Sequence, residues 1–170
     1  MSVEIRPIGE DDVAAVVALR QESLTHAPLA FAASPERDAG SDPDAIRARI
    51  AEAPDSVTFG AFDGSRLVGA LSLFRETHRK RAHRAQLFAM YVTPSHRRRG
   101  VATGLLGAAV RHAEALGLAR LVLSVSSSAP GARRLYEATG FVAWGEEPDA
   151  LRDAGESAAE THMALALTGR

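Results

Sequence analysis

Apolar and polar positions alternate with different periods along the chain, and each change of period marks an element. Val3-Glu4-Ile5-Arg6 alternates strictly and runs into Pro7, which predicts a short strand. Val13, Val16, Val17, Leu19 and Leu24 then fall on one helical face, with Asp11-Asp12 placed to cap its start. His26 to Ser41 has no period and is rich in Pro, Ala and Gly around Phe31. It reads as a loop or as broken helical turns, and a segment of that length is a candidate wall for a substrate site. Asp42-Pro43-Asp44 opens a second helix reaching Ala51, with proline in the first turn. Ser56–Phe62 and Leu67–Phe74 are apolar runs joined by Asp63-Gly64-Ser65-Arg66, a hairpin signal.

After a basic connector, Arg75 to Arg84, the apolar run Leu87 to Val92 predicts a strand ended by Thr93-Pro94. From Gly100 onward Val101, Leu105, Ala109 and Ala113 recur every four positions, and Ala102, Leu106 and Val110 widen the stripe. That pattern is a helix over 101–116, with Gly117 as its left-handed cap. Leu118–Val125 reads as a buried strand, and Pro130–Thr139 as a helix closed by Gly140 with Phe141 packing back. Phe141–Trp144 reads as a strand, and Gly145–Glu160 as acidic and turn-rich. His162–Leu167 is a last strand with Met163, Leu165 and Leu167 on one face. The sum predicts one α/β domain over residues 1–170, with a mixed, mostly antiparallel central sheet flanked by helices.

Composition narrows the classes of function. A hydrophobic share of 46% with 24% charged residues describes an ordinary globular chain long enough for a sizeable core. A net charge of −1 and aromatic content of 5% give no general case for nucleic acid or an anionic membrane. With no cysteine there is no disulfide, thiolate metal site or cysteine nucleophile, and the six histidines lack ligand spacing, so no metal is expected. Ser126-Ser127-Ser128 lacks the glycines of a nucleophile elbow. The opening MSVEIRPIGEDD has no basic segment followed by an apolar run, and no apolar stretch approaches membrane-spanning length. A cytoplasmic protein is the expectation.

The candidate chemistry lies where the strand before Thr93-Pro94 meets the helix after Gly100. A helix start carries unpaired backbone N–H groups and the positive end of the dipole, so it binds anions. Gly100 and Ala102 leave room for a phosphate to approach the amides from Arg98 to Thr103, Val101 included. Arg97, Arg98 and Arg99 add charge that pairs with phosphate oxygens. The plain alternative is a solvated charged turn, and for the basic connector that alternative is favoured. A P-loop is excluded by the missing lysine, and the dinucleotide fingerprint by the spacing of Gly100, Gly104 and Gly107.

Arg97-Arg98-Arg99-Gly100-Val101-Ala102, preceded by Val92-Thr93-Pro94, resembles the GCN5-related N-acetyltransferases, whose acetyl-CoA signature is Gln/Arg-x-x-Gly-x-Gly/Ala in this setting. Ala132, Leu135, Tyr136, Gly140 and Phe141 match the spacing of the family's second motif, Asn-x-x-Ala-x-x-Leu-Tyr-x-x-x-Gly-Phe. Its asparagine falls at Ala129, for which Ser126, Ser127 or Ser128 would substitute. The resemblance covers Leu67 to Trp144 well, and the N-terminal part in element order only. It implies the acyl-CoA N-acyltransferase fold and acetyl-CoA as co-substrate. The strand before the turn would splay from its neighbour, and backbone groups on Met90, Tyr91 and Val92 would pair with the pantetheine arm. The amides and side chains from Arg97 to Thr103 would hold the pyrophosphate, with Ser128 and Arg133 on the second motif. The Tyr136 hydroxyl would protonate the departing thiolate, and an N–H near Met90 would polarise the thioester carbonyl.

The implied reaction is acetyl transfer to a primary amine by direct attack in a ternary complex; the alternative is a catalytically idle acyl-CoA-binding or sensing module. Many family members use a glutamate on the splayed strand as base, and here that strand has Gln86 and no acid. Glu76, His78 and His83 on its approach, with Glu22 and Glu147 further off, stay open as proton acceptors. The acceptor is a small-molecule or peptide amine, shaped by segments 26–41, 75–84 and 145–160. A small amine, an amino acid, an antibiotic, a peptide N-terminus and a lysine all fit. Dimers are frequent in the family, so a homodimer is among the assemblies the resemblance allows.

Overall fold

The computed structural model describes residues 2–167. The elements run β1 Glu4–Pro7, α1 Val13–His26, α2 Pro43–Ala51, β2 Ser56–Asp63, β3 Arg66–Arg75, β4 Arg84–Val92, α3 Val101–Ala115, β5 Arg120–Ser126, α4 Pro130–Thr139, β6 Val142–Asp153 and β7 Glu156–Ala166. The strands form one seven-stranded sheet in the order β1-β2-β3-β4-β5-β7-β6. Every neighbouring pair is antiparallel except β4 and β5, so the sheet is mixed and mostly antiparallel, as the sequence predicts.

Side chains alternate between the two faces, and each face has its own core. Leu71 and Leu73 of β3 point to one side, where they join Phe59, Leu87, Leu121 and Met163 under Leu105, Leu106 and Ala109 of α3. Ala70 and Ser72, one step out of phase, face the other side. There Phe62, Leu67 and Tyr91 meet Val13 and Leu19 of α1 and Ile46 of α2. The every-fourth-residue stripe of α3 is buried as predicted.

Local signals decide the ends of the helices. Asp42 accepts from the Asp44 N–H at 3.0 Å and Pro43 fills the first turn, so α2 starts where the sequence places it. At the far end of α3, Gly117 takes φ 69° and the Leu118 N–H reaches back to the Ala113 carbonyl at 3.0 Å. Asp12 behaves differently from expectation. Its carboxylate makes no cap bond to α1 but accepts from the Gly9 N–H and the Arg6 guanidinium, fixing the approach from β1.

Two segments needed the structure to resolve them. His26–Ser41 is a run of broken turns, with short 3-10 turns at Pro28–Ala30 and Ala39–Ser41. Gly145–Glu160, predicted to be turn-rich, is mostly strand: β6 runs to Asp153 and β7 starts at Glu156 around a turn at Ala154-Gly155. Its acids and proline read as a loop because β6 is an edge strand with most side chains exposed. Pro148 and Asp149 fall where its pairing with β7 is interrupted, a pattern that suits an edge. The predicted strand His162–Leu167 is the second half of β7 and one residue beyond.

α3 crosses β1 closely enough that a Cβ on Gly104 would lie 2.4 Å from Ile5 Cδ1, whereas one on Gly107 would meet only the flexible end of Arg111. Gly104→Val is expected to lower stability by about 1–3 kcal/mol through overpacking. Gly107→Ala should raise it by about 0.5–1 kcal/mol through helix propensity. Chemical denaturation of both variants checks the pair, and equal effects would contradict this packing.

Candidate active site

β4 and β5 begin side by side and then part. They pair at Arg84–Arg120, Ala85–Leu121 and Gln86–Val122, and no further. A bulge in β4 accompanies the divergence: its register with β3 shifts between Ala70 and Ser72, and Ala89 takes φ 55°. From Leu87 to Val92 the β5-facing edge of β4 therefore has no partner strand, and an unpaired edge is a template for an extended ligand. Tyr91 and Val92 bury their side chains in the two opposite cores, and Met90 packs against the α3 core. What these three residues present to the opening is backbone.

The arginine loop lies at the open end of this cleft. Arg97 is anchored: its Nε donates to the Val92 carbonyl at 2.9 Å and its guanidinium lies over the Tyr91 ring at 5.5 Å. Arg98 and Gly100 adopt left-handed φ values of 58° and 78°, and the first bond of α3 is Gly104 N–H to the Gly100 carbonyl. The amides from Arg98 to Thr103 donate to no acceptor among the described residues. A Cβ at Gly100 would meet nothing within 4 Å, so the approach to those amides is open. Successive free N–H groups at a helix start, between exposed arginines, suit a phosphate or pyrophosphate. His96, buried at 7% exposure, fixes the loop to the β2–β3 turn, with its Nε2 2.9 Å from Asp63. That bond, with the charge of Arg99 beside it, holds the Asp63 carboxyl below the usual carboxylate range.

The second motif lies on α4, beyond β5. Gly140 closes the helix at φ 106°, the Phe141 N–H bonds the Tyr136 carbonyl at 3.0 Å, and the two rings meet edge to face at 5.7 Å. This packing buries Tyr136, and burial pushes its phenol up to about 12. Its hydroxyl makes no hydrogen bond to a described residue. Ala129 occupies the N-cap position of α4, and no side chain caps the helix there. Ser126 sits on buried strand end; its hydroxyl donates to the Leu29 carbonyl at 2.6 Å and lies 2.9 Å from the Ser128 hydroxyl. Arg133 is engaged with Glu137 at 3.0 Å and with the Thr161 hydroxyl at 3.2 Å.

The groups weighed as proton acceptors are scattered. Glu76 pairs with Arg84 at 3.4 Å, and the His83 carbonyl accepts from Ala119 at 2.8 Å, both at the closed end of the cleft. At strand rise that end is roughly 20 Å from Met90, and His78 belongs to the same connector. Glu147 lies on the edge strand 3.9 Å from His162. Glu22 alone of the five contacts the opened stretch of β4, where it accepts from the Tyr91 hydroxyl at 3.0 Å. Burial, with the neighbouring Glu22 carboxylate, raises the Tyr91 phenol above its ordinary range.

A cavity of about 310 Å³ lies on the other face of β4, under α1 and α2. Phe88, Ala89 and Tyr91 form part of its floor, so it abuts the bulge. Arg20 and Asp38, paired at 2.8 Å, stand in its wall and hold segment 26–41 against α1. Burial works to raise the Asp38 carboxyl, but hydrogen bonds from Arg20, Ser41 and Gly40 outweigh it and the shift is downward. Arg49 of α2 also lines this cavity and was not singled out from the sequence. The available signal was its place on the same helical stripe as Ile46 and Ile50, whereas Arg47 turns outward to Glu10 and Asp44.

Residues 18–141 match the Acetyltransferase (GNAT) family, well over half of the chain. A search of curated proteins found no match. Among solved structures, a GNAT-family acetyltransferase from Streptococcus pneumoniae superposes with a TM-score of 0.85 at 22% identity, covering 98% of this chain and 100% of that one. The yncA protein of Salmonella typhimurium, solved with its cofactor acetyl-CoA, gives 0.85 at 20% identity, with 100% and 96% covered. A phosphinothricin acetyltransferase from Sinorhizobium meliloti in complex with acetyl-CoA gives 0.84 at 18% identity, with 98% and 89% covered. The seven-stranded order, the parting of β4 from β5 and the matched sequence agree: this chain belongs to the GNAT acetyltransferase family.

Proposed function

We propose that this protein transfers the acetyl group of acetyl-CoA to a primary amine by direct attack in a ternary complex, the whole chain acting as one catalytic domain. The observation that carries the reading is the row of free amides from Arg98 to Thr103 at the mouth of an unpaired strand edge. Those amides would hold the pyrophosphate, with Arg98 and Arg99 beside them and Arg97 fixing the turn through the Val92 carbonyl. The edge from Met90 to Val92 would take the pantetheine arm as an added strand, and Ser128 and Arg133 would border its far side. Acetyl-CoA supplies an acyl carbon activated as a thioester and a thiol that leaves. An N–H near Met90 stabilises negative charge on the acyl oxygen. Tyr136 keeps its proton across the working pH range because burial lifts its phenol to about 12. It therefore donates a hydrogen bond to the departing sulfur. Complete transfer from such a phenol to a thiolate of pKa ~8.5 is uphill, so the proton lost by the amine balances the one the thiol gains.

The alternative is an acyl-CoA-binding module without turnover; Ala129 in place of the family asparagine, at an uncapped helix start, and the scattered proton acceptors speak for it. Retained binding with no thiol release from any amine would select it.

Titration with acetyl-CoA, followed by calorimetry and thermal shift, tests the cleft. At a hundred times the dissociation constant the ligand should add about 2.7 kcal/mol to stability. An Arg99→Glu/Gly100→Glu variant should lose the effect, and a folded wild type that does not bind would overturn the proposal. Tyr136→Phe is expected to lower kcat about 10²-fold with acetyl-CoA affinity unchanged. For the wild type, kcat/KM should climb as the amine deprotonates near pKa ~10. It should show no loss from Tyr136 ionisation until the pH nears about 12; a loss of activity centred on the ordinary tyrosine range would contradict the role. Ala129→Asn should stabilise the protein by about 0.5–2 kcal/mol by capping α4, read by denaturation.

A further inference from the structure

We infer that the cavity under α1 and α2 selects a free α-amino acid, whose carboxylate pairs with Arg49 while its amine faces the opened stretch of β4; the transfer step, though not the binding, rests on the acetyl-transfer reading above. Arg49 is half-buried, lines the cavity and has its guanidinium 5.9 Å from the Phe88 ring. It makes no hydrogen bond or ion pair with any described residue, unlike its neighbour Arg47. The other charges in the wall cancel: Arg20 binds Asp38 through two nitrogens, at 2.8 and 3.2 Å, and Asp38 also accepts from Ser41 and Gly40. The Thr58 and Ser72 hydroxyls on the floor satisfy each other at 2.7 Å. One positive charge is left without a counterpart, and a planar fork of donors matches a carboxylate.

The rest of the lining sets the remainder of the ligand. Val16, Leu19, Ile46 and Ile50 offer an aliphatic surface. A volume of about 310 Å³ is at the small end for ligand sites, enough for a metabolite and not for a length of peptide. Charge and size together divide the acceptors that the sequence leaves open. A peptide N-terminus or a lysine in a chain has its carboxyl tied up in an amide, and a polycationic antibiotic is repelled by Arg49. An amino acid with an aliphatic side chain carries the amine, the carboxylate and the apolar group at once.

The test uses L-valine, L-leucine and L-methionine, each with its amide and its decarboxylated amine, as acceptors for acetyl-CoA. Thiol release is the readout, and the chain's lack of cysteine removes the background. Calorimetry of the same compounds on the CoA-saturated protein reports binding without chemistry. The amino acids should exceed their amides and amines by about 10- to 100-fold in kcat/KM, the worth of a charged hydrogen-bonded contact. Arg49→Gln should lose that preference and Arg49→Lys should keep part of it, with acetyl-CoA binding certifying that both are folded. Equal use of all three acceptor types, or a preference that survives Arg49→Gln, would overturn the inference. If no compound is acetylated, the transfer reading fails on its own. Amino-acid binding that disappears in Arg49→Gln would then still uphold the pocket, and its absence in the wild type would sink it.

Discussion

The feature on which the rest depends is the end of hydrogen bonding between β4 and β5 at Gln86 and Val122. Two strands joined at one end and free at the other leave backbone donors and acceptors uncovered in the middle of a sheet. Such groups are costly to bury and ready to pair. Everything near the cleft follows from that opening. The bulge at Ala89 turns β4 away, the loop after Thr93 brings free amides to the open end, and the α4 motif closes the opposite side. The two cores hold the opening in place because Tyr91 and Val92 are buried on opposite faces, so β4 cannot slide toward β5 without emptying one of them.

Charge is divided between two sides of the same strand. On the cleft side the positive groups are backbone amides and exposed arginines, suited to phosphate. On the cavity side one half-buried guanidinium stands among aliphatic side chains, beside an ion pair that is already closed. The strand itself carries no acid. A carboxylate that reaches its opened stretch, Glu22, does so through the hydroxyl of Tyr91, a residue whose ring also supports Arg97. Tyr91 therefore connects the phosphate turn, α1 and the cavity floor, although nothing in its local sequence marks it for that task.

What could be read from the chain was whatever is local. Proline and glycine set the ends of α2, α3 and α4, the four-residue stripe set the buried face of α3, and Asp63-Gly64 set the hairpin; each depends on residues a few positions apart. The cleft's phosphate turn was legible for the same reason, since a helix start preceded by a strand is contiguous. The start of β6 was read at Phe141–Trp144, but its continuation to Asp153 and the first half of β7, which pairs with it, were missed because the edge strand's acids and proline imitate a loop. The cavity was missed because it joins Arg20, Asp38, Arg49, Ser72 and Tyr91, whose proximity arises only when two helices fold over the sheet. Arg49 is the sharpest case: it lies two positions along α2 from the solvent-facing Arg47, and its place on the stripe of Ile46 and Ile50 is what turns it inward.

The hydroxyl of Ser126 has a structural consequence. It stands at the end of β5, on the border of the cleft, and donates to the carbonyl of Leu29 in the segment that goes on to supply Asp38 and Gly40 to the cavity wall. The two compartments share this tether across 97 residues of chain. The same hydroxyl lies 2.9 Å from that of Ser128, so the turn after β5 and the turn at Leu29 meet at one oxygen. One hydrogen bond thus joins the border of the cleft to the chain that leads into the cavity wall, so the strand end and segment 26–41 hold each other in place.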